Sequence, residues 1–226
     1  VGSEMCIRDR KNTRFYKGSF PAEYGGRLSS VVDVRMNDGN RQEYHGNISV
    51  GLLSARANLE GPIVKDRSSF NVSVRRTWLD LITGTALAIV NKNSDTKESF
   101  GYHFFDINAK VNHSFSERSR AYLSFYMGQD AFRQGSKEKH EDSDDMFLWR
   151  WGNLIGSAGW NYVFGQKLFG NLMVGYSRFR SHIRQEAKGY EIEGNRAERQ
   201  SIKRDSRYKS EMEDLSVRLS VDYSPS

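Results

Sequence analysis

Little in this chain can crosslink it or stiffen its backbone: its 226 residues include one cysteine and three prolines. A single thiol closes no intramolecular disulfide and supplies no cysteine-based zinc set. No apolar run approaches the ~20 residues that a membrane-spanning helix needs. The longest, Leu79 to Val90, is interrupted by Asp80, Thr83 and Gly84. Helical membrane proteins are thereby excluded. Catalytic signatures are missing too: there is no phosphate-cradling glycine-rich loop, no Gly-Xaa-Ser-Xaa-Gly elbow and no His-Glu-Xaa-Xaa-His. The histidines His45, His103, His113, His140 and His182 show no metal-ligand spacing. Glu138, Glu141, Asp142, Asp144 and Asp145 lack the central glycine and final glutamate of a calcium loop and read as a solvated segment. The expectation is a protein that is not an enzyme and has no metal or cofactor.

Excess charge of one sign is modest. The net +6 comes from 34 basic and 28 acidic residues, a mixed surface more than a nucleic-acid stripe. The densest basic run, Arg196 to Lys209, is diluted by Glu198 and Asp205, so no nucleic-acid partner is expected. A mean hydropathy of −0.70 and 37 % hydrophobic content look soluble. They do not exclude a membrane barrel, which spreads its apolar residues over alternate positions.

Alternation is what the chain does have. From Tyr44 onward the period is two: Ile48, Val50 and Leu52 share a face, then Ala55, Ala57, Leu59 and Ile63 oppose Arg56, Asn58 and Glu60. Phe70, Val72, Val74 and Trp78 alternate with polar residues. Phe105, Ile107, Ala109, Val111 and Phe115 oppose Asp106, Asn108, Lys110, Asn112 and Ser114. Further strands run over Ala121 to Gly128, Phe147 to Phe164, Leu168 to Ile183 and Leu215 to Tyr223, about eight in all. Short turns (Val64 to Ser68, Ser116 to Arg120, Gly165 to Lys167) alternate with long polar loops (Leu79 to Gly101, Gln129 to Asp145, Arg184 to Glu213), which gathers the long loops at one end of an antiparallel sheet. Aromatics near strand ends (Phe70, Trp78, Phe104, Phe115, Trp160, Tyr162, Phe164 and Tyr223) suit the interfacial girdles of a barrel. They also suit the core of a soluble β-sandwich, in which aromatics favour strands. The pattern alone leaves barrel and sandwich open.

The lead-in is more specific. Ser19 to Arg35 reads Ser-Phe-Pro-Ala-Glu-Tyr-Gly-Gly-Arg-Leu-Ser-Ser-Val-Val-Asp-Val-Arg, with turns at Pro21 and Gly25-Gly26 followed by a β-rich strand from Leu28 to Met36. This wording resembles the end of the plug domain of TonB-dependent outer-membrane receptors. The stretches His45 to Val50 and Ala57 to Ile63 resemble the first two barrel strands of that family.

The resemblance covers about Tyr16 to Arg76. It implies an all-β fold in which the C-terminal end of a plug (11–43) precedes about eight strands (44–226) of a transmembrane β-barrel of roughly 22 strands. It implies active import of a siderophore, vitamin, glycan or peptide across the bacterial outer membrane, driven through the TonB complex by way of a region upstream of this chain. A surface lipoprotein is a further candidate partner. Pro21, Ala22, Tyr24, Gly25, Gly26 and Arg27 form the plug motif, where a structural turn is the plainer reading. Outer-membrane lipid is expected against Ile48, Val72, Ile107, Leu123, Leu219 and Val221, the apolar members of strands whose opposite members are polar. Trp149 and Trp151, beside a long loop, are candidate substrate contacts, with an interfacial belt as the plainer alternative. A passive porin-like barrel and a soluble sandwich binding module are the rival functions. Finally, 1–10 (Val-Gly-Ser-Glu-Met-Cys-Ile-Arg-Asp-Arg) resembles the translation of a transposase adapter used in sequencing libraries, and Cys6 lies inside it. The last strand, Leu215 to Tyr223, runs into the turn signal Ser224-Pro225-Ser226, so the expectation is a fragment that neither closes a barrel nor transports alone.

Overall fold

The computed structural model of the chain describes residues 10–17, 30–138, 143–192 and 199–224. Two sheets form. The first is a pair, β1 (Arg10–Tyr16) and β2 (Val31–Met36), antiparallel with Tyr16 opposite Val31. The second is an eight-stranded antiparallel meander in which every strand pairs with its neighbours in sequence: β3 (His45–Val50), β4 (Ser54–Val64), β5 (Ser68–Thr77), β6 (Thr96–Ser116), β7 (Ser119–Glu138), β8 (Asp144–Val163), β9 (Leu168–Ile192) and β10 (Arg199–Tyr223). The sheet is open, since β3 and β10 stand at its two edges and do not pair with each other. The plug motif from Pro21 to Arg27 lies outside the described residues.

Because directly opposed residues share a face, the register assigns every side chain a side. One row runs Ile48, Ala57, Val74, Ile107, Met127, Leu154, and the next runs Leu59, Val72, Ala109, Phe125, Gly156, Tyr176, Leu215. This apolar side is open: Ile48 is 79 % exposed, Leu123 62 % and Leu219 72 %. The opposite side carries polar residues and is where most of the burial occurs. Ser69, Asn71, Ser73, Asp106, Lys110 and Asn112 are all buried, whereas Ala131 is the one buried hydrophobic residue among those described. The sheet thus buries more of its polar side than of its apolar side.

The apolar band is not level across the strands. Ile48 and Val50 are in register, strand by strand, with Glu213 and Glu211 of β10, whereas the apolar run of β10 is Leu215 to Tyr223, centred on Leu219. The band therefore slides about seven residues over the seven steps from β3 to β10. At ~3.3 Å rise per residue and ~4.8 Å between strands, a level band requires strands tilted by roughly 35°.

The long connections differ from the sequence expectation. Only short links remain between β7 and β8 and between β9 and β10, because Gln129 to Asp145 and Arg184 to Glu213 are mostly strand: β7 has 20 residues, and β9 and β10 have 25 each. Alternation fades there because apolar residues are sparse on both faces, so periodicity carries no signal. Cross-strand charge pairing takes over, as in Arg180 Nε to Glu211 Oε1 at 2.5 Å and Arg184 Nη2 to Asp205 Oδ2 at 3.5 Å. The expected loop Leu79 to Gly101 contains a helix, α1 (Leu79–Val90), a short 3-10 turn (Asn91–Asn93) and the start of β6. The helix covers the stretch of β6 that extends past the end of β5. Thr83 Oγ1 donates to the Phe100 carbonyl at 3.0 Å, and Asn91 exchanges two bonds with the Glu98 backbone at 2.6 and 3.0 Å, occupying groups that a strand would otherwise pair. At the other end of the sheet all turns are short. The β4–β5 turn seats Asp66 at φ 64°, the left-handed region that Asp tolerates.

Between β2 and β3 the chain crosses the polar side of β4 to β6. Lys110 Nζ donates to the Met36 carbonyl at 3.1 Å and to Asp38 Oδ1 at 2.7 Å, while Ser69 Oγ and Asn112 Nδ2 both donate to the Asp38 carbonyl, at 2.6 and 2.8 Å. Asn37 reaches Glu60 at 3.2 Å, and the Asp66 amide donates to the Arg41 carbonyl at 3.2 Å. Gly39 has φ 79°, and a Cβ there would come within 2.3 Å of the Phe70 carbonyl oxygen. Replacing Gly39 by Ala should therefore destabilise this docking by about 1–3 kcal/mol, through strain at a left-handed residue with no room to relax. Amide hydrogen exchange across 37–44 should accelerate in the variant; unchanged protection would show that the linker is not wedged there.

Candidate functional site

The polar side of β5 to β9 holds a connected set of charged and aromatic groups. Arg75, two residues before the end of β5, donates from both Nε and Nη2 to Asp106 Oδ2, the former at 2.8 Å. Its guanidinium also lies 4.5 Å from the centre of the Phe104 ring. The other oxygen of Asp106 accepts from the Tyr126 hydroxyl at 3.1 Å, and one strand position further on Tyr102 donates to Asp130 Oδ1 at 2.7 Å. Asp106 is buried, so this is a desolvated carboxylate satisfied at both oxygens.

Beyond this network, towards the end where β6 to β10 extend, the same side becomes aromatic. Register sets Tyr102 opposite Phe132, and Phe132 opposite Trp149; the neighbouring row sets Phe104, Asp130 and Trp151 side by side. The Trp149 and Trp151 rings are 4.3 Å apart, and Trp151 stacks on Tyr102 at 6.4 Å with a 26° interplanar angle. Phe132 touches Phe100 and Phe147 edge-on at 5.5 and 5.9 Å. The Trp149 indole donates to Ser181 Oγ at 2.9 Å, which fixes that ring over β9. A groove of about 560 Å³ opens beside Phe147 and is lined by Glu98, Gln134, Ser136, Asp145, Gln185, Arg204 and Ser206.

Trp149 and Trp151, proposed from sequence as substrate contacts or belt residues, thus lie on the polar side, away from the exposed apolar band. Phe104, read as a girdle residue, is also on the polar side, under Arg75; its even position in β6 carried that information. Ile48, Val72, Ile107, Leu123, Leu219 and Val221 share the apolar side, with Val72 and Ile107 half-buried between neighbouring strands. At the turn end of that side, Trp160, Tyr162 and Phe164 are in sequential contact at 5.7 and 4.7 Å, and Tyr223 is exposed. Sequence reasoning missed Tyr102, Asp130 and Phe132 as neighbours of the tryptophans and Tyr126 as a partner of Asp106. The signal for them was the opposite parity of β6 and β7, legible only once their register is known.

No group of three or more potential metal ligands occurs among the described residues, and no helix there is long and apolar enough to cross a membrane. No protein-family model, curated protein or solved structure matches the chain.

The Arg75–Asp106 pair supplies a test of the network. Arg75→Met strands a buried carboxylate and should cost about 3–5 kcal/mol in unfolding free energy. Adding Asp106→Leu should recover most of that loss, because the charge left unpaired has been removed. A double-mutant cycle with no coupling between the two sites would contradict the network.

Proposed function

We propose that this chain is wall and plug-exit segment of a TonB-dependent outer-membrane receptor that actively imports a scarce nutrient. The observation that carries the reading is the inverted sheet. An apolar side exposed over eight strands, opposite a polar side that is packed and hydrogen-bonded, is a liability in water and a requirement in lipid. The band on β10, Leu215 to Tyr223, spans nine positions, the ~9–11 residues that a tilted strand needs to cross hydrocarbon. The roughly 35° slope of the band falls within the tilt of outer-membrane strands. Aromatics border the band at the short-turn end, as an interfacial girdle would.

Plugged transport is favoured over a passive pore by the linker. In a receptor the chain leaves the plug inside the lumen and must reach the wall from within. The stretch from Met36 to Asp38, held against the polar side by Lys110, Ser69 and Asn112, follows such a path. The extended arms of β6 to β10, with their aromatic surface and the groove beside Phe147, then stand on the extracellular side, where substrate arrives.

Two measurements test the proposal in the protein expressed from its complete reading frame. Ile107→Arg should lower barrel stability in lipid by about 2–4 kcal/mol, and Asn108→Arg by much less. Equal effects would refute the assigned facing. Uptake of radiolabelled ferric siderophore, cobalamin, oligosaccharide or peptide should stop when a protonophore collapses the inner-membrane gradient. Uptake that persists would identify a passive pore instead.

A further inference from the structure

We infer that the aromatic surface formed by Trp149, Trp151, Tyr102 and Phe132, with the groove beside Phe147, binds a neutral polyhydroxylated ligand of the oligosaccharide class. The inference rests on the import reading above and narrows its substrate. Four rings contributed by three adjacent strands present π faces and edges over a run of side chains along β8 from Phe147 to Trp151, a rise of about 13 Å. The faces of such rings carry partial negative charge, which favours the weakly positive C–H groups of a sugar face. Trp149 is pinned by Ser181 and Tyr102 by Asp130, so the surface is arranged before any ligand arrives.

The polar lining selects among ligands that could stack there. Gln134 and Gln185 each offer a donor and an acceptor on one planar amide, a match for neighbouring hydroxyl groups. Glu98, Asp145 and Glu186 can accept from hydroxyls and Arg204 can donate to them. The adjoining groove shares this wall and adds Lys97, Arg133, Lys137 and Lys188 with Asp144, so acids and bases nearly balance and the lining suits a ligand with no net charge. Neutral sugars meet that condition. A pocket of about 560 Å³ that mixes polar side chains with Met146, Phe147 and Ala187 is of the size that holds a small organic ligand.

The test uses the intact protein, expressed from the complete reading frame and purified in detergent, on an array of neutral oligosaccharides, with isothermal titration of any hit. At least one neutral glycan should bind, and Trp149→Ala/Trp151→Ala should weaken it ten-fold or more. The conservative Trp149→Phe/Trp151→Phe protein should retain part of the affinity, which separates loss of stacking from loss of fold. Trp160→Ala, on the apolar side, should leave binding unchanged. Gradient-driven uptake of a ferric chelate or a basic peptide, combined with no glycan binding anywhere on the array, would overturn the oligosaccharide assignment and leave the import reading standing. Failure of the complete protein to enter the outer membrane would overturn both.

Discussion

Backbone pairing between neighbouring strands holds this molecule together, because neither side of the sheet buries an apolar core. Ala131 is the one buried hydrophobic residue among those described, while the ladder from β3 to β10 is continuous across seven antiparallel interfaces. In water each backbone hydrogen bond contributes only about 1 kcal/mol net, since water competes for the same groups. In hydrocarbon the competitor is gone and an unmade bond costs several kcal/mol. A sheet built this way gains most from a lipid environment, which is the setting of the proposed function. The same logic accounts for α1: Asn91 and Thr83 satisfy the stretch of β6 that outruns β5.

The polar side derives its order from one cation. Lys110 is buried, yet its ammonium has a carboxylate, a carbonyl and the Tyr122 ring 5.0 Å away, so the charge is not stranded. Around it Ser69 and Asn112 converge on the Asp38 carbonyl, and Gly39 turns the chain where a side chain would meet Phe70. These contacts link the small β1–β2 pair to the large sheet. Further along the same side, Arg75 and Asp106 repeat the device, and the aromatic rings begin where these charges end. Beyond the apolar band the arms are stabilised by a third means, rows of surface ion pairs. There the hydrogen bond from Arg207 holds the Asp205 carboxyl below its ordinary range. Such exposed pairs are individually weak, and it is their repetition along a paired ladder that matters.

Much of the sheet could be read directly from residue order. Period two converts position into side, so Ile48, Leu123 and Leu219 on one side and Arg56, Asp106 and Lys110 on the other follow from counting. The turns near Ser116 to Arg120 and Gly165 to Lys167 were marked by their own polar residues. Where apolar residues are sparse on both sides of a strand the rule has little to act on, and so the arms from Gln129 and Arg184 read as loops. The helix from Leu79 escaped for a related reason: it has no side-chain cap and no polar face repeating at helical spacing.

The sequence by itself determined the strand class, the number of strands in the large sheet and, in the alternating stretches, the side on which a residue stands, because alternation is a local property that neighbouring residues report. Only the tertiary structure decided which residues meet. Tyr102, Phe132 and Trp149 are far apart in the chain and become one surface through register, as do Asp38 and Lys110. Register is set by pairing across the whole ladder, where a slip of one residue would send each side chain to the opposite side. No short window of sequence carries that information.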